Sequence, residues 1–155
     1  MQLSPVRTTT VLAADAANYS RAMSLDERRA LAALAASRAV IDASIAANGG
    51  RIFSTGGDSV LAEFPLAGRA VQCAVEVQRS LAEGKARGTE ALPYRIGIHV
   101  GHVYPNGEDL LGETVNIAAR LEALPILAAF ASRTKSLTLL RPHRIFASKG
   151  SARRR

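Results

Sequence analysis

The chain has 155 residues, of which 48% are hydrophobic and 21% are charged, a composition typical of one soluble globular domain and not of a disordered chain. A single cysteine, Cys73, excludes an internal disulfide framework. The longest apolar stretch, Ala123–Ala131, is far shorter than the roughly 20 residues of a membrane span, and residues 1–10 form no signal-peptide hydrophobic region. We therefore expect a cytoplasmic protein that does not enter a membrane.

The formal net charge of +7 is confined to one end of the chain. Residues 1–122 carry twelve basic and thirteen acidic side chains, whereas residues 123–155 carry eight basic side chains and no acidic one. Such asymmetry is typical of a tail and not of a folded body. Since aromatic residues make up only 5% of the chain, few side chains could stack on bases. A nucleic-acid binder is therefore a weaker alternative that only the basic tail motivates.

The first elements are a strand and a helix. Thr8–Ala14 is β-branched at its start and apolar after it, as in a buried strand, and it runs into Asp15. Ser24 and Glu27 form a capping-box pattern that predicts a helix start, and residues 48–50 (Asn-Gly-Gly) predict its end.

The following segment predicts a hairpin, a helix, a long strand and a last helix. The hairpin turn falls at residues 56–58 (Gly-Gly-Asp), and Pro125 stops the last helix. The order strand, helix, strand, strand, helix, strand, helix begins a ferredoxin-like α+β fold, an antiparallel-rich sheet with helices packed on one face. The predicted ranges are Arg51–Thr55, Ser59–Phe64, Ala67–Glu83, Tyr94–Val103 and Glu113–Leu124.

Two aspartates are candidates for a metal site. Asp15 follows a buried strand and Asp58 lies in the hairpin turn, and neighbouring strand ends can bring two carboxylates to one ion. Paired carboxylates suit Mg²⁺, which keeps several waters and shares the phosphates of a substrate. The alternative is that Asp15 begins a loop and Asp58 completes an ordinary Gly-Gly-Asp turn.

A second candidate group belongs to the last helix. Asn116 and Arg120 are four residues apart, so they project from one helix face and could orient a sugar and stabilise phosphoryl charge. Asp109, in the predicted loop before this helix, could bind a base edge or favour the helix dipole. The alternative is a solvated face on which Arg120 lies near Glu113 and Glu122.

Other chemistries lack their motifs. The sequence contains neither a phosphate-binding P-loop nor a serine nucleophile elbow. His99 and His102 have an odd spacing on a predicted strand, which places them on opposite faces and makes them a poor chelating pair. Cys73 is interpreted as a buried packing residue of its helix.

Four segments, in chain order, resemble the signature motifs of class III adenylate/guanylate cyclase catalytic domains of the bacterial type. Each motif alone would be a weak signal, but four in the correct order are a strong signal for this family. The resemblance implies the α+β fold of class III nucleotide cyclases. The segments are Val11–Ser20, Gly49–Phe64, Arg95–Gly101 and Asp109–Glu122.

This resemblance implies that ATP is converted to 3′,5′-cyclic AMP and pyrophosphate, as in cyclic-nucleotide signalling. Asp15 and Asp58 would hold two Mg²⁺ or Mn²⁺ ions, and the ribose 3′-oxygen would attack the α-phosphorus in line. The start of a helix would help to cradle the phosphates through the backbone of four residues: Ala16, Ala17, Asn18 and Tyr19.

The resemblance also assigns roles to the second group. Asn116 would orient the ribose, Arg120 would offset charge on the transferring phosphorus, and Asp109 would accept from the adenine amino group, which favours ATP over GTP. In this family the metal aspartates and the second group come from opposite protomers, so a homodimer with two shared sites is implied.

Some positions depart from the family pattern. Ser54 stands where relatives usually have a lysine that assists adenine recognition, and Asn18 and Ser59 replace usual glycines. These departures leave an alternative function: a catalytically silent cyclase-homology module that binds nucleotide or a partner without turnover.

The resemblance ends near Leu124. We therefore predict a partial catalytic domain at residues 1–124 and an atypical basic tail at 125–155, from truncation or a frameshift, with the last strands of the sheet missing or altered and an edge exposed. Ile126–Phe130 and Leu137–Leu140 are apolar but show neither caps nor convincing partners.

Overall fold

The structure, a computed structural model, describes residues 4–123 and 136–140. Within these residues, six strands form one antiparallel sheet. The predicted α+β order is confirmed, with a short helix and two short strands added. The elements are β1 (Arg7–Ala16), α1 (Tyr19–Leu25), α2 (Glu27–Ala47), β2 (Arg51–Gly56), β3 (Ser59–Phe64), α3 (Ala67–Ala86), β4 (Tyr94–Asn106), β5 (Asp109–Leu111), α4 (Glu113–Glu122) and β6 (Ser136–Leu140).

The sheet order is β2-β3-β1-β4-β5, so β1 lies at the centre between β3 and β4. Asp15 is opposite Arg95 on β4, and Ala16 is opposite Tyr94. On the other side of β1, Ala14 is opposite Val60 of β3, which places the β2–β3 turn beside the end of β1. This register positions Asp15 and the hairpin turn at the same end of the sheet.

Both faces of β1 are buried because helices cover both sides of the sheet, so the prediction that helices cover only one face is wrong. Side chains alternate between the faces along a strand, so Leu12 and Ala14 contact the core under α2 and α3, whereas Val11 and Ala13 lie on the face covered by α4. This two-sided burial explains why the strand is almost continuously apolar.

Glycines on β4 allow α4 to approach the sheet closely. A Cβ added at Gly97 would lie 2.4 Å from the Ala118 carbonyl oxygen and 2.5 Å from the Glu122 amide nitrogen. One at Gly101 would lie 2.4 Å from the Thr114 hydroxyl oxygen. The two glycines therefore set the height of α4 above the strand.

The predicted cap of the long helix is wrong in detail. Asp26, and not Ser24, is the N-cap of α2, and its Oδ1 accepts a hydrogen bond from the Arg29 amide at 3.0 Å. Ser24 instead belongs to α1, where its hydroxyl donates to the Ser20 carbonyl at 2.9 Å. Asp26 is extended and is both the C-cap of α1 and the N-cap of α2, which separates Ser24 from the start of α2.

The C-terminal region contributes a strand to the sheet. The apolar segment Leu137–Leu140 lies in β6, which pairs with the Arg95–His99 segment of β4. This part of β4 is therefore not the free edge that the sequence predicted. The other apolar segment, Ile126–Phe130, lies outside the described residues.

By length and composition, α2 could cross a membrane, with a mean hydropathy of 1.5. In the fold one side of α2 is buried against α3 and the sheet, through positions at helical spacing that include Ala33, Ile41 and Ile45. A helix that supplies one face to a core has this composition as well.

Candidate active site at the end of the central strands

The two predicted metal aspartates lie at one end of the sheet. Asp15 is the penultimate residue of β1, and Asp58 occupies the two-residue turn between β2 and β3, after Gly57 with its φ of 58°. An Asp58 carboxylate oxygen accepts a hydrogen bond from the Ala16 amide at 3.1 Å. Asp58 is thus held directly beside the residue that follows Asp15.

Arg95 is a member of this site that sequence reasoning missed. Its Nε and Nη2 donate to the two Asp15 carboxylate oxygens at 2.9 and 2.8 Å. These hydrogen bonds raise the pKa of Arg95. Its position at the start of the third signature segment was visible in the sequence, but its pairing with Asp15 depends on the β1–β4 register.

Tyr94 supports the hairpin that carries Asp58. Its hydroxyl donates to the Asp58 carbonyl at 2.9 Å, and its own carbonyl accepts from Gln78 of α3 at 2.8 Å. The ring is fully buried, and this burial raises the pKa of Tyr94, so the phenol stays a donor. Tyr94 therefore fixes the hairpin turn to α3.

Glu122 joins the aspartates from the end of α4. Burial, the negative charge of Asp15 and a hydrogen bond with that side chain together raise the pKa of Glu122 to about 8. The interpretation of Glu122 as part of a solvated helix face is therefore wrong, because the close approach of α4 over Gly97 brings its carboxyl group against Asp15.

The raised pKa of Glu122 predicts a pH-dependent stability. In the metal-free protein its contribution is fully present below the ordinary glutamate pKa of 4.5 and is lost as the pH rises through about 8. In EDTA, the melting temperature of the wild type should therefore fall between pH 5 and 8 more than that of Glu122→Gln, which cannot ionise. Thermal denaturation at three pH values measures this difference.

A matched control for this experiment is Glu113→Gln on the same helix. The Glu113 side chain is 65% exposed, so this variant should keep the pH dependence of the wild type. Equal pH dependence in the wild type and Glu122→Gln would contradict the assignment.

The turn after β1 leads into α1 through a left-handed residue. Asn18 has a φ of 61° and is the N-cap of α1, a geometry that asparagine tolerates better than most residues. The Ala16 amide donates to Asp58, and the Ala17 amide donates to the Pro93 carbonyl at 2.8 Å. Of the four residues predicted to cradle phosphates, two therefore hold the turn in place, and the amides of Asn18 and Tyr19 lie at the helix start.

Asn116 and Arg120 project from α4 away from the sheet. Thr114 and Ala118 are buried against β4, and positions two residues further along lie about 200° around the helix from them. Arg120 pairs with Glu113 at 3.3 Å, and the Arg120 side chain is 71% exposed, so this ion pair is weak and easily exchanged for another anion.

Asp109 lies in β5 and not in the loop that the sequence predicted. It is exposed, and its Oδ1 accepts from the neighbouring Leu110 amide at 2.8 Å. The structure thus forms two groups: Asp15, Asp58, Arg95 and Glu122 on one side of α4, and Asn116 and Arg120 on its far side.

In residues 4–123, no three His, Cys, Asp or Glu side chains are arranged to hold a metal ion by themselves. His102 instead hydrogen-bonds Thr8 through Nδ1 at 3.1 Å, and burial lowers the pKa of His99. Cys73 is buried in the core, as predicted.

Comparison with known proteins identifies the family. A crystal structure described as an adenylate/guanylate cyclase/hydrolase from Silicibacter pomeroyi is 40% identical, with a TM-score of 0.70, and the match covers 77% of this chain and 71% of that one. The chain belongs to the class III adenylate/guanylate cyclase family. No family model matches the sequence.

Two further matches bear on this cyclase domain. A Rhizobium meliloti protein named as a candidate adenylate cyclase is 39% identical over 121 residues, which are 76% of this chain but only 21% of that protein. The chain therefore spans about a fifth of this curated relative. A guanylyl cyclase domain from Blastocladiella emersonii, solved as a monomer, is 25% identical, with a TM-score of 0.70, and the match covers 79% of this chain and 78% of that one.

Proposed function

We propose that this cyclase domain converts ATP to 3′,5′-cyclic AMP and pyrophosphate. The observation that carries the proposal is the convergence of Asp15, Asp58 and Arg95 at one sheet end, beside a turn that begins a helix. Two carboxylates with an adjacent guanidinium suit a substrate that combines metal ions with a triphosphate.

The donor set fits Mg²⁺ or Mn²⁺. Asp15 and Asp58 supply oxygen ligands, and a site with few protein ligands suits Mg²⁺, which takes its remaining ligands from water and substrate phosphates. Asp15 and Asp58 would hold two such ions, which would stabilise the attacking and leaving oxygens of an in-line displacement.

Arg95 has a part in substrate binding in this proposal. In the absence of nucleotide it neutralises Asp15 through a bidentate ion pair. With cations on the carboxylates, the Arg95 guanidinium would be available to the anionic triphosphate, which it matches in charge and in hydrogen-bond geometry. Asn116 orients the ribose through its amide, and Arg120 stabilises charge on the α-phosphoryl group.

A single chain does not bring these groups together. Asn116 and Arg120 lie on the far side of α4 from Asp15 and Asp58, and both side chains are exposed. A second copy of the chain could present them to the metal carboxylates, so we propose a homodimer in which each of two sites takes residues from both protomers.

Selection of adenine rests on Asp109 in this proposal. A carboxylate accepts a hydrogen bond from the adenine amino group, whereas guanine presents a carbonyl oxygen at that position. Ser54 of β2 is shorter than a lysine and leaves Asp109 as the main determinant.

An assay of the purified chain with ATP or GTP and Mn²⁺, followed by separation of the cyclic products, tests this function. We expect cyclic AMP to form in preference to cyclic GMP, and Asp109→Asn to reduce that preference by about tenfold, since an asparagine amide can donate to the guanine carbonyl oxygen as well as accept from the adenine amino group. Glu108→Gln, a neighbouring residue with a 98% exposed side chain, is the control. Predominant cyclic GMP formation would contradict the adenine assignment, and nucleotide binding without product would favour the silent module.

A further inference from the structure

Asp58 lies at the tip of a hairpin that is held at few points. A Cβ added at Gly56 or Gly57 would have no atom of the described residues within 4 Å, so the turn is not packed on those sides. Two hydrogen bonds connect Asp58 with β1 and β4 in this part of the chain. The Ala16 amide donates to its carboxylate at 3.1 Å, and the Tyr94 hydroxyl donates to its carbonyl at 2.9 Å. The position of the carboxylate therefore depends on these two bonds.

The two bonds differ in what they leave free. The bond from Ala16 occupies a carboxylate oxygen, which is also the kind of atom that a metal ion would contact. The bond from Tyr94 reaches only the main chain of Asp58, so both carboxylate oxygens stay available to an ion. The Tyr94 hydroxyl is therefore the contact that can hold Asp58 in place without competing with an ion.

Tyr94 is itself held rigidly. Its ring is fully buried in the core under α2 and α3. Its carbonyl accepts from the Gln78 side chain of α3 at 2.8 Å, and its main chain pairs with Ala16 in the β1–β4 ladder. A side chain in a closely packed core stays in one rotamer. The core and the sheet, and not the hairpin, therefore set the position of the hydroxyl.

We propose that Tyr94 is a positioning residue of the metal site, because its hydroxyl holds the Asp58 main chain where the carboxylate lies beside Asp15. This role rests on the proposed function, in which the two carboxylates hold divalent cations. Without the hydroxyl, the Asp58 carbonyl can accept from water, and the hairpin turn gains positions away from the end of β1. Ordering the turn again then opposes ion binding, which lowers the affinity.

Tyr94→Phe tests this role, because it keeps the buried ring and removes only the hydroxyl. We expect the dissociation constant of Mn²⁺ for the full chain, measured without nucleotide, to rise about tenfold, the size of effect typical of groups that orient metal ligands. The number of ions bound at saturation should stay that of the wild type, and excess Mn²⁺ should restore the rate in the cyclase assay. Calorimetric titration gives both the affinity and the number of ions.

The matched control is Thr114→Val, which removes another buried hydroxyl with little change in side-chain shape. The Thr114 hydroxyl donates to the His102 carbonyl at 2.6 Å, far along β4 from Tyr94. Loss of this bond should lower the melting temperature about as much as Tyr94→Phe does, since each variant loses one hydroxyl-to-carbonyl bond, with no change in Mn²⁺ affinity. An equal loss of Mn²⁺ affinity in both variants would mean that Tyr94 only stabilises the fold, and would overturn the proposal.

A double variant shows whether Tyr94 acts through Asp58. In an Asp58→Asn background, Tyr94→Phe should change the remaining Mn²⁺ affinity by less than about twofold, since the carboxylate that the hydroxyl positions is already lost. An undiminished effect in that background, or an unchanged affinity in Tyr94→Phe alone, would overturn the positioning role. If Asp58→Asn binds Mn²⁺ as tightly as the wild type, the metal site of the proposed function fails, and the role of Tyr94 fails with it.

Discussion

Replacing Asp58 by asparagine should abolish cyclic AMP formation while leaving the fold intact. The asparagine Oδ1 can still accept the hydrogen bond from the Ala16 amide, and the Asp58 carbonyl that accepts from Tyr94 is unaffected. What is lost is one negative charge beside Asp15, and with it the affinity for a divalent cation. We expect the rate to fall by about a thousandfold or more, since metal ions supply several kcal/mol of transition-state stabilisation.

The measurement combines cyclic AMP production, Mn²⁺ binding and thermal denaturation. Asp42→Asn is the control, because Asp42 forms an i,i+4 ion pair with Arg38 on α2 and has no role in the site. Pairs of this kind contribute only about 0.3–0.5 kcal/mol. Wild-type activity in Asp58→Asn would contradict the metal site, and a large loss of thermal stability would show that the charge serves the fold instead.

Much of the fold follows from local patterns in the sequence. The alternation of apolar residues in β4, the helical spacing in α3 and the Gly-Gly-Asp turn each specify an element without reference to distant residues. The closeness of Asp15 and Asp58 also follows from the sequence. When a hairpin pairs with a buried strand, its turn can lie at only a few positions along that strand.

The parts that sequence patterns missed depend on contacts between distant segments. The pairing of Arg95 with Asp15 requires the register of β1 and β4. A shift of one residue in that register would turn the two side chains to opposite faces of the sheet. The burial of Glu122 requires the close approach of α4 over Gly97, and glycine in a strand does not by itself specify which segment approaches it. In a helical projection Glu122 and Arg120 look equally polar, but they lie on different sides of α4.

This division of α4 has a structural consequence for the proposed site. The side of the helix that faces β4 ends in Glu122, which contacts Asp15 of the same chain. The far side presents Asn116 and Arg120 to solvent. If these two residues act on nucleotide, they must act beside the Asp15 and Asp58 carboxylates of another copy of the chain. This requirement can be tested directly.

Mixed dimers should recover activity that neither parent variant has. Asp58→Asn removes a metal carboxylate and Arg120→Ala removes the exposed guanidinium of α4, so each variant alone should be inactive. A dimer of one chain of each kind has one site with both defects and one intact site, and should retain roughly half of the wild-type activity. Two affinity tags allow such dimers to be purified and assayed.

A second mixed dimer controls for recovery by exchange or contamination. Asp15→Asn combined with Asp58→Asn places one defect in each site, because both residues belong to the metal group of their own chain, and it should remain inactive. Recovery in this control, or no recovery with Arg120→Ala, would contradict a site shared between protomers. The second outcome would mean that Arg120 acts within its own chain, which would require α4 to leave its position over Gly97 and Gly101.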